Sequence, residues 1–321
     1  MSTTENPDST SVGTTAEPNH DGSGAAYIFE ASGGSWSQQA KLIANDGDGG
    51  DLFGNSVGLS SDGTTAVIGA SHDEDPNGEK TGSAYVFEPS GRSWNQQTKL
   101  TADDGDSGDR FGISVAVSGD GTTALVGAGL DDSPTKDDVG SAYVFKATGG
   151  SWTKRAKLIA PSGENGDIFG SSVALSNDGN TVLVGASGDD NPNGDVAGSA
   201  HIFEAKDGSW ARGQHSKLVA DDGGSRDNFA RAVALSGDGT TALIGAESKL
   251  EMDSGSRGAA YAFEASSGSW SQKAKFTGDG ETVRFGRSVA ASNGGTTALI
   301  GDPLQLVTGS GMTGMAYVFP L

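Results

Sequence analysis

One word recurs five times along this chain: Asp-x-Phe-Gly or a close variant, followed by a short Ser-Val-Ala-type run. Its phenylalanines are Phe53, Phe111, Phe169, Phe229 and Phe285, at spacings of 58, 58, 60 and 56 residues. Trp36, Trp94, Trp152, Trp210 and Trp270 keep nearly the same beat. A fixed period of this length means one supersecondary unit built repeatedly, each copy packing on its neighbours. Function is then to be sought where the copies depart from one another.

Residues 51–100 illustrate one unit. A short alternating strand over 55–59 is followed by a tight turn at Ser61-Asp62-Gly63, where glycine suits a positive φ. A largely apolar second strand spans 65–70, and an acidic loop leads to a third strand over 82–88. After a second tight turn, the fourth strand over 93–100 alternates, with Trp94, Gln96, Thr98 and Leu100 on one face. Its other face is polar, and every copy carries a lysine here (Lys41, Lys99, Lys157, Lys217, Lys275), which suits an outer edge guarded against stray pairing.

Four antiparallel strands per repeat predict an all-β chain, a β-propeller of four-stranded antiparallel blades. Five first strands give five blades, with six as the alternative. The chain ends on a third strand, 314–321, and begins with a surplus third strand, 25–30, followed by a fourth, 35–42. The expectation is a ring closed by an N-terminal strand that completes the C-terminal blade. The surplus strand leaves open a partial sixth blade or self-association by strand exchange. Residues 1–23, rich in Ser, Thr, Pro and acids, read as a flexible tether before a single domain over 24–321.

Acidic residues outnumber basic ones 42 to 21, for a net charge of −21, so nucleic acid and anionic membrane surfaces are poor partners. Such acidity suits a halophilic solvation device or the collection of cations at loops. There is no cysteine, which removes disulfides, thiolate metal sites and a cysteine nucleophile. No apolar run reaches the length of a membrane span, so direct membrane insertion is not expected.

The words Asp-x-Phe-Gly-x-Ser-Val-Ala, Val-Gly-Ala and Gly-Ser-Ala-Tyr-Val-Phe together resemble the FG-GAP repeat, over residues 24–321. The resemblance implies a propeller like that of integrin α chains and microbial surface proteins, hence an extracellular or cell-surface adhesion or binding module. It also implies calcium in a long loop between strands one and two. Here that connection is only a tight turn, too short to wrap an ion with six to eight oxygens, so the usual site is expected to be absent.

Connections alternate between the two ends of a blade, so the 2–3 and 4–1 loops share one face. These loops hold 29 of the 42 acids, which makes that face the candidate contact surface for a protein or glycan partner. Closely spaced oxygens that suit a hard cation such as calcium occur at Asp103, Asp104, Asp106 and Asp109. They occur also at Asp73, Asp75 and Asn77, and at Asp189, Asp190, Asn193 and Asp195. The Asp before Phe-Gly (Asp51, Asp109, Asp167, Asp227, but Val283 in the fifth copy) reads as an acceptor for backbone N–H groups. The aromatics read as blade packing. His201 reads as a packed residue in a tyrosine position, and His215 lies in a two-residue insertion. No nucleophile–base pair or phosphate-cradling loop recurs, so the reading is noncatalytic. A structural assembly role and a propeller hydrolase are the alternatives.

Overall fold

A computed structural model describes residues 10–14, 22–74, 78–250, 257–278, 282–307 and 311–321. The chain divides into two compact units, Met1–Ile159 and Ala160–Leu321, and each is described by itself. Every regular element among the described residues is a strand.

The first unit opens with a three-stranded sheet of β1 (Thr10–Thr14), β2 (Ala26–Ser32) and β3 (Ser35–Leu42). A four-stranded sheet follows in chain order: β4 (Phe53–Leu59), β5 (Ala66–Ala70), β6 (Ser83–Ser90) and β7 (Ser93–Leu100). The next repeats it with β8 (Phe111–Val117), β9 (Thr123–Ala128), β10 (Ser141–Thr148) and β11 (Ser151–Leu158). The second unit holds β12 (Phe169–Leu175), β13 (Thr181–Ala186), β14 (Ser199–Lys206) and β15 (Ser209–Leu218) as one sheet. Its second sheet is β16 (Phe229–Leu235), β17 (Thr241–Leu250), β18 (Arg257–Ser266) and β19 (Ser269–Phe276). The last has three strands, β20 (Ser288–Ala291), β21 (Thr297–Val307) and β22 (Gly311–Pro320). Every pairing between these strands is antiparallel. The fold class is the β-propeller, with five blades opened by β4, β8, β12, β16 and β20.

Two details at the N-terminus go beyond the sequence reading. The surplus strand is the middle strand of its own sheet, paired with β3 on one side and β1 on the other. Residues 10–14, within the expected tether, are β1.

Each blade is built around its Phe-Gly word. Phe53 stands edge-on to Tyr85 and Phe87 of β6, at centroid distances of 5.5 and 5.9 Å. It reaches across β5, whose five residues are all buried. Phe111 meets Tyr143 and Phe145 in the same way, and Phe229 meets Tyr261 and Phe263. Immediately after Phe53 the β4–β5 register shifts, and Gly54 sits in the bulge at a φ of 92°.

The same phenylalanine ties its blade to the one before. The Phe53 N–H donates to Ser23 O at 2.9 Å and the Phe111 N–H to Thr81 O at 2.8 Å. In the second unit Phe229 donates to Ala197 O at 3.0 Å and Phe285 to Arg257 O at 3.3 Å. The backbones come so close that a Cβ on Gly82 or Gly198 would collide with the carbonyl of Phe111 or Phe229. Both glycines also hold positive φ, 86° and 83°. The Ser-Val-Ala serine adds a second tie: Ser56 Oγ donates to Gly112 O and Ser172 Oγ to Ala230 O, each at 2.8 Å.

Two substitutions test this reading with opposite signs. Gly82→Ala is expected to cost about 3 kcal/mol or more, since it adds both strain and a backbone collision. Ala230, which replaces the bulge glycine in the fourth copy, has a φ of 68°. Ala230→Gly is therefore expected to be neutral or to stabilise by up to about 1 kcal/mol. Urea denaturation of the two variants checks both.

Candidate functional site

The acidic loops carry two kinds of carboxylate, and the distinction is whether a lysine of the fourth strand holds them. The inner kind is held by the repeated lysine and tyrosine. Lys99 lies 2.8 Å from both Asp46, in the β3–β4 loop, and Asp73, in the β5–β6 loop. Buried Asp73 also accepts hydrogen bonds from Ser83 Oγ at 2.5 Å and Tyr85 OH at 3.1 Å. In the next blade Lys157 pairs with Asp104 at 2.8 Å and with buried Asp131 at 2.7 Å, while Tyr143 OH donates to Asp104 at 3.0 Å. Burial pulls the Lys157 pKa down, but its bonds to Asp104 and Asp131 more than offset this and raise it above the usual lysine value. Asp104 is lowered: burial opposes, but Lys157 and Tyr143 outweigh it.

The third and fourth copies vary the theme. In the third, Ser162 stands where Asp46 and Asp104 stand, and His201 replaces the tyrosine. Lys217 keeps only its partner in the 2–3 loop, Asp189, at 2.8 Å. His201 turns elsewhere, with Nε2 3.0 Å from Ser199 Oγ and Nδ1 2.9 Å from His215 Nε2. Burial, then His215 and Lys217, push His201 down to about 3. In the fourth copy Lys275 and Tyr261 both hold Asp222, at 2.6 and 2.9 Å. There Lys249 replaces the 2–3 loop Asp; it donates to the Asp222 carbonyl and pairs with Asp227 at 3.0 Å.

The Asp before Phe-Gly accepts a backbone N–H three residues upstream, as the sequence suggests. Asp51 accepts from Asp48 at 2.6 Å; Asp109, Asp167 and Asp227 accept from Asp106, Glu164 and Gly224 at 2.7 Å. The residue after each of these acids (Leu52, Arg110, Ile168 and Asn228) has a positive φ of 53–58°. The fifth copy loses both features together. Val283 replaces the acid, and Asp302, in the Ala position of Gly-Ala, takes over by accepting the Arg284 N–H at 3.2 Å. Burial, reinforced by Asp131, pushes Asp109 up to about 6 despite the Asp106 N–H; burial and Asp189 do the same for Asp167.

The candidate calcium residues are thus divided among tasks. Asp73, Asp104 and Asp189 serve the lysine clasps and Asp109 the turn. Asp103 is exposed and pairs with Lys154, and Asp106 is exposed beside it. Asp190 accepts the Val196 N–H at 2.7 Å, Asn193 donates to Ala220 O at 2.9 Å, and Asp195 is exposed. Asp75 and Asn77 lie outside the described residues. Among the described residues no three His, Cys, Asp or Glu side chains gather as a metal group. The 1–2 turns are closed internally: Asp62 accepts Ser60 Oγ at 2.6 Å and the Thr64 N–H at 3.0 Å, and Asp120, Asp178 and Asp238 repeat the pattern.

The outer carboxylates belong to loops that are stitched together. Gly108 N–H and Ser107 Oγ donate to Glu79 O, both at 3.1 Å, so the β5–β6 loop backs onto the β7–β8 loop. The Arg226 N–H donates to Asp195 O at 2.8 Å in the second unit. Exposed acids on these loops include Asp48, Glu74, Glu79, Asp132, Asp137, Asp138, Glu164 and Asp190.

Residues 36–87, 94–145, 152–203 and 213–263 each match the FG-GAP repeat, and together they cover well over half of the chain. The chain belongs to the FG-GAP repeat family. Each match begins at a fourth strand and ends at the third strand of the following blade; the fifth copy, with Val283 and Asp302, is not among them. No curated protein matches the chain.

Two predictions follow from the buried charges. Lys157→Met strands buried Asp131 and is expected to cost about 3 kcal/mol or more in urea denaturation. Stability should also carry two opposed pH limbs. Asp109 is raised above its ordinary 3.8, so its contribution is complete below pH 3.8 and is lost as pH rises through 6. His201 is depressed below 6.5, so its contribution is present above 6.5 and is lost as pH falls toward 3. Asp109→Asn should shrink the first limb, leaving the share of Asp167, and His201→Tyr should shrink the second, read as Tm against pH.

Proposed function

We propose that the chain is a noncatalytic binding or adhesion module that works outside the cytoplasm, with the joined 2–3 and 4–1 loops as its contact surface for a protein or glycan. FG-GAP repeats occur in extracellular and surface proteins, which supports that setting. One observation carries the surface assignment: loop backbones are fixed to the blade frame while their outward side chains differ from copy to copy. Asp51 and Asp109 cap the turns, the lysine clasps hold the loop bases, and loop carbonyls accept from the next loop. A recognition surface needs this combination, because a pre-ordered loop loses little entropy on binding. Exposed acids bias it toward partners that present donors or cations, and dense surface carboxylates suit a salt-rich medium. Calcium is not needed by this reading, since Asp73, Asp104, Asp109, Asp189 and Asp190 already hold lysines or backbone N–H groups.

The test is an array of extracellular glycans and proteins probed with the full chain and two variants. One carries Asp132→Asn, Asp137→Asn and Asp138→Asn; the other carries Asp190→Asn and Asp195→Asn. At least one ligand is expected to lose about tenfold in affinity in a loop variant with unchanged Tm, equivalent to ~1.4 kcal/mol. A chain that binds nothing, or whose every ligand ignores both variants, contradicts the proposal.

A further inference from the structure

The arginines of the last two copies run against the charge of the chain. Just after the Phe-Gly word the first three copies carry Asn55, Ile113 and Ser171, and the last two carry Arg231 and Arg287. At the end of the second strand the first three copies carry Ser71, Gly129 and Ser187, and the fourth carries Glu247. These two positions are neighbours in space. The Ser71 N–H donates to Asn55 Oδ1 at 3.2 Å, and the Ser171 and Ser187 hydroxyls are 3.5 Å apart. In the fourth copy the pair is therefore Arg231 and Glu247, and two arginines of the following blade join them. Arg231 Nε lies 3.8 Å from the Glu247 carboxylate, Arg284 NH1 3.9 Å and Arg287 Nε 3.4 Å.

Donors and acceptors do not balance in this cluster. Each guanidinium has about five N–H donors, and one carboxylate offers about four lone-pair sites. Only Arg287 comes within hydrogen-bond range, with NH1 3.5 Å from Oε1, and the buried Oε2 accepts no hydrogen bond. The Glu247 side chain is 11% exposed, whereas those of Arg231, Arg284 and Arg287 are 43, 51 and 40% exposed. The carboxylate thus gathers the three guanidiniums from below, and their outer edges face solvent. Guanidinium forks held in this way match carboxylate and sulfate oxygens bidentately.

We propose that Arg231, Arg284 and Arg287 form a recognition site for an oxyanion carried on a saccharide, a uronate carboxylate or a sulfate ester. The inference rests on the binding role proposed above and names a ligand class for the same loop face. A saccharide fits better than an acidic peptide because the chain as a whole is acidic, with a net charge of −21. A peptide bearing consecutive carboxylates would meet that repulsion along its length, whereas a sugar brings one charge per ring among neutral hydroxyls.

Isothermal titration of the full chain tests this with four probes: trigalacturonate, a sulfated heparin disaccharide, neutral galactotriose and hexa-aspartate. The expected result is that trigalacturonate or the sulfated disaccharide binds, about tenfold or more tighter than galactotriose and hexa-aspartate, and weakens as NaCl rises. The tighter of the two identifies the oxyanion. Arg231→Gln with Arg287→Gln should abolish binding. Arg231→Lys with Arg287→Lys, which keeps the charge and guards against misfolding, should weaken it by about tenfold through loss of the fork.

Failure of both anionic saccharides to bind, tighter binding of hexa-aspartate, or indifference to both arginine pairs overturns the inference. If array ligands are lost in the loop variants but retained in the arginine variants, the binding role stands and the oxyanion site falls.

Discussion

A single backbone hydrogen bond sets the terms for the rest of this structure: the N–H of Phe53, Phe111, Phe229 and Phe285 donating to a carbonyl at the entry to a strand of the preceding sheet. At 2.8–3.3 Å it requires the two backbones to touch without side chains between them. That forces glycine at Gly24, Gly82, Gly198 and Gly258, whose missing Cβ is the space the next phenylalanine carbonyl uses. It also forces the bulge after the phenylalanine, since the chain must turn from the neighbour back to its own sheet. The aromatic ring then has one direction left, across the small second strand onto Tyr and Phe of the third. The sequence word, the bulge and the aromatic core are three consequences of one close approach.

The electrostatics are arranged around the same frame. Lysines from four of the fourth strands, Lys99, Lys157, Lys217 and Lys275, reach loop acids, and Lys99 and Lys157 each bridge a 4–1 and a 2–3 loop. Burial raises the pKa of Asp109, which has no cation beside it, and the nearby Asp131 carboxylate adds to the rise. The fourth copy resolves this differently, placing Lys249 where the others have an acid and pairing it with Asp227. The third copy drops the second acid and the tyrosine together, as Ser162 and His201, and a histidine pair fills the room. These are alternative solutions to one problem: neutralising a carboxylate that the turn needs and solvent cannot reach.

Strand order within a blade was legible because alternation, tight turns and in-register aromatics are local. The Asp before Phe-Gly was legible for a similar reason, since its partner lies three residues away. The roles of Lys99 and Tyr85 were not. An edge lysine and a packing tyrosine are the default readings of those residues, and their acids come from loops 26 and 53 residues distant from Lys99. A signal did exist, in that Ser162 and His201 depart from the pattern in the same copy. Asp302 was also within reach of comparison, as an acid appearing in the one copy that lacks Asp before Phe. β1 was not, because a stretch such as Thr-Ser-Val-Gly-Thr gains its strand from the free edge of β2 rather than from its own composition.

Leu52, Arg110, Ile168 and Asn228 share one unusual backbone conformation and nothing else. An ordinary side chain at positive φ is disfavoured, and a turn of this kind would normally demand glycine or asparagine. Here the capping acid beside it fixes the turn, so the identity of the residue is released from the task of shaping the loop. Aliphatic, cationic and amide side chains occupy the position with the backbone unchanged. The position works as an interchangeable mount: four copies within one chain seat four different side chains on the same loop backbone.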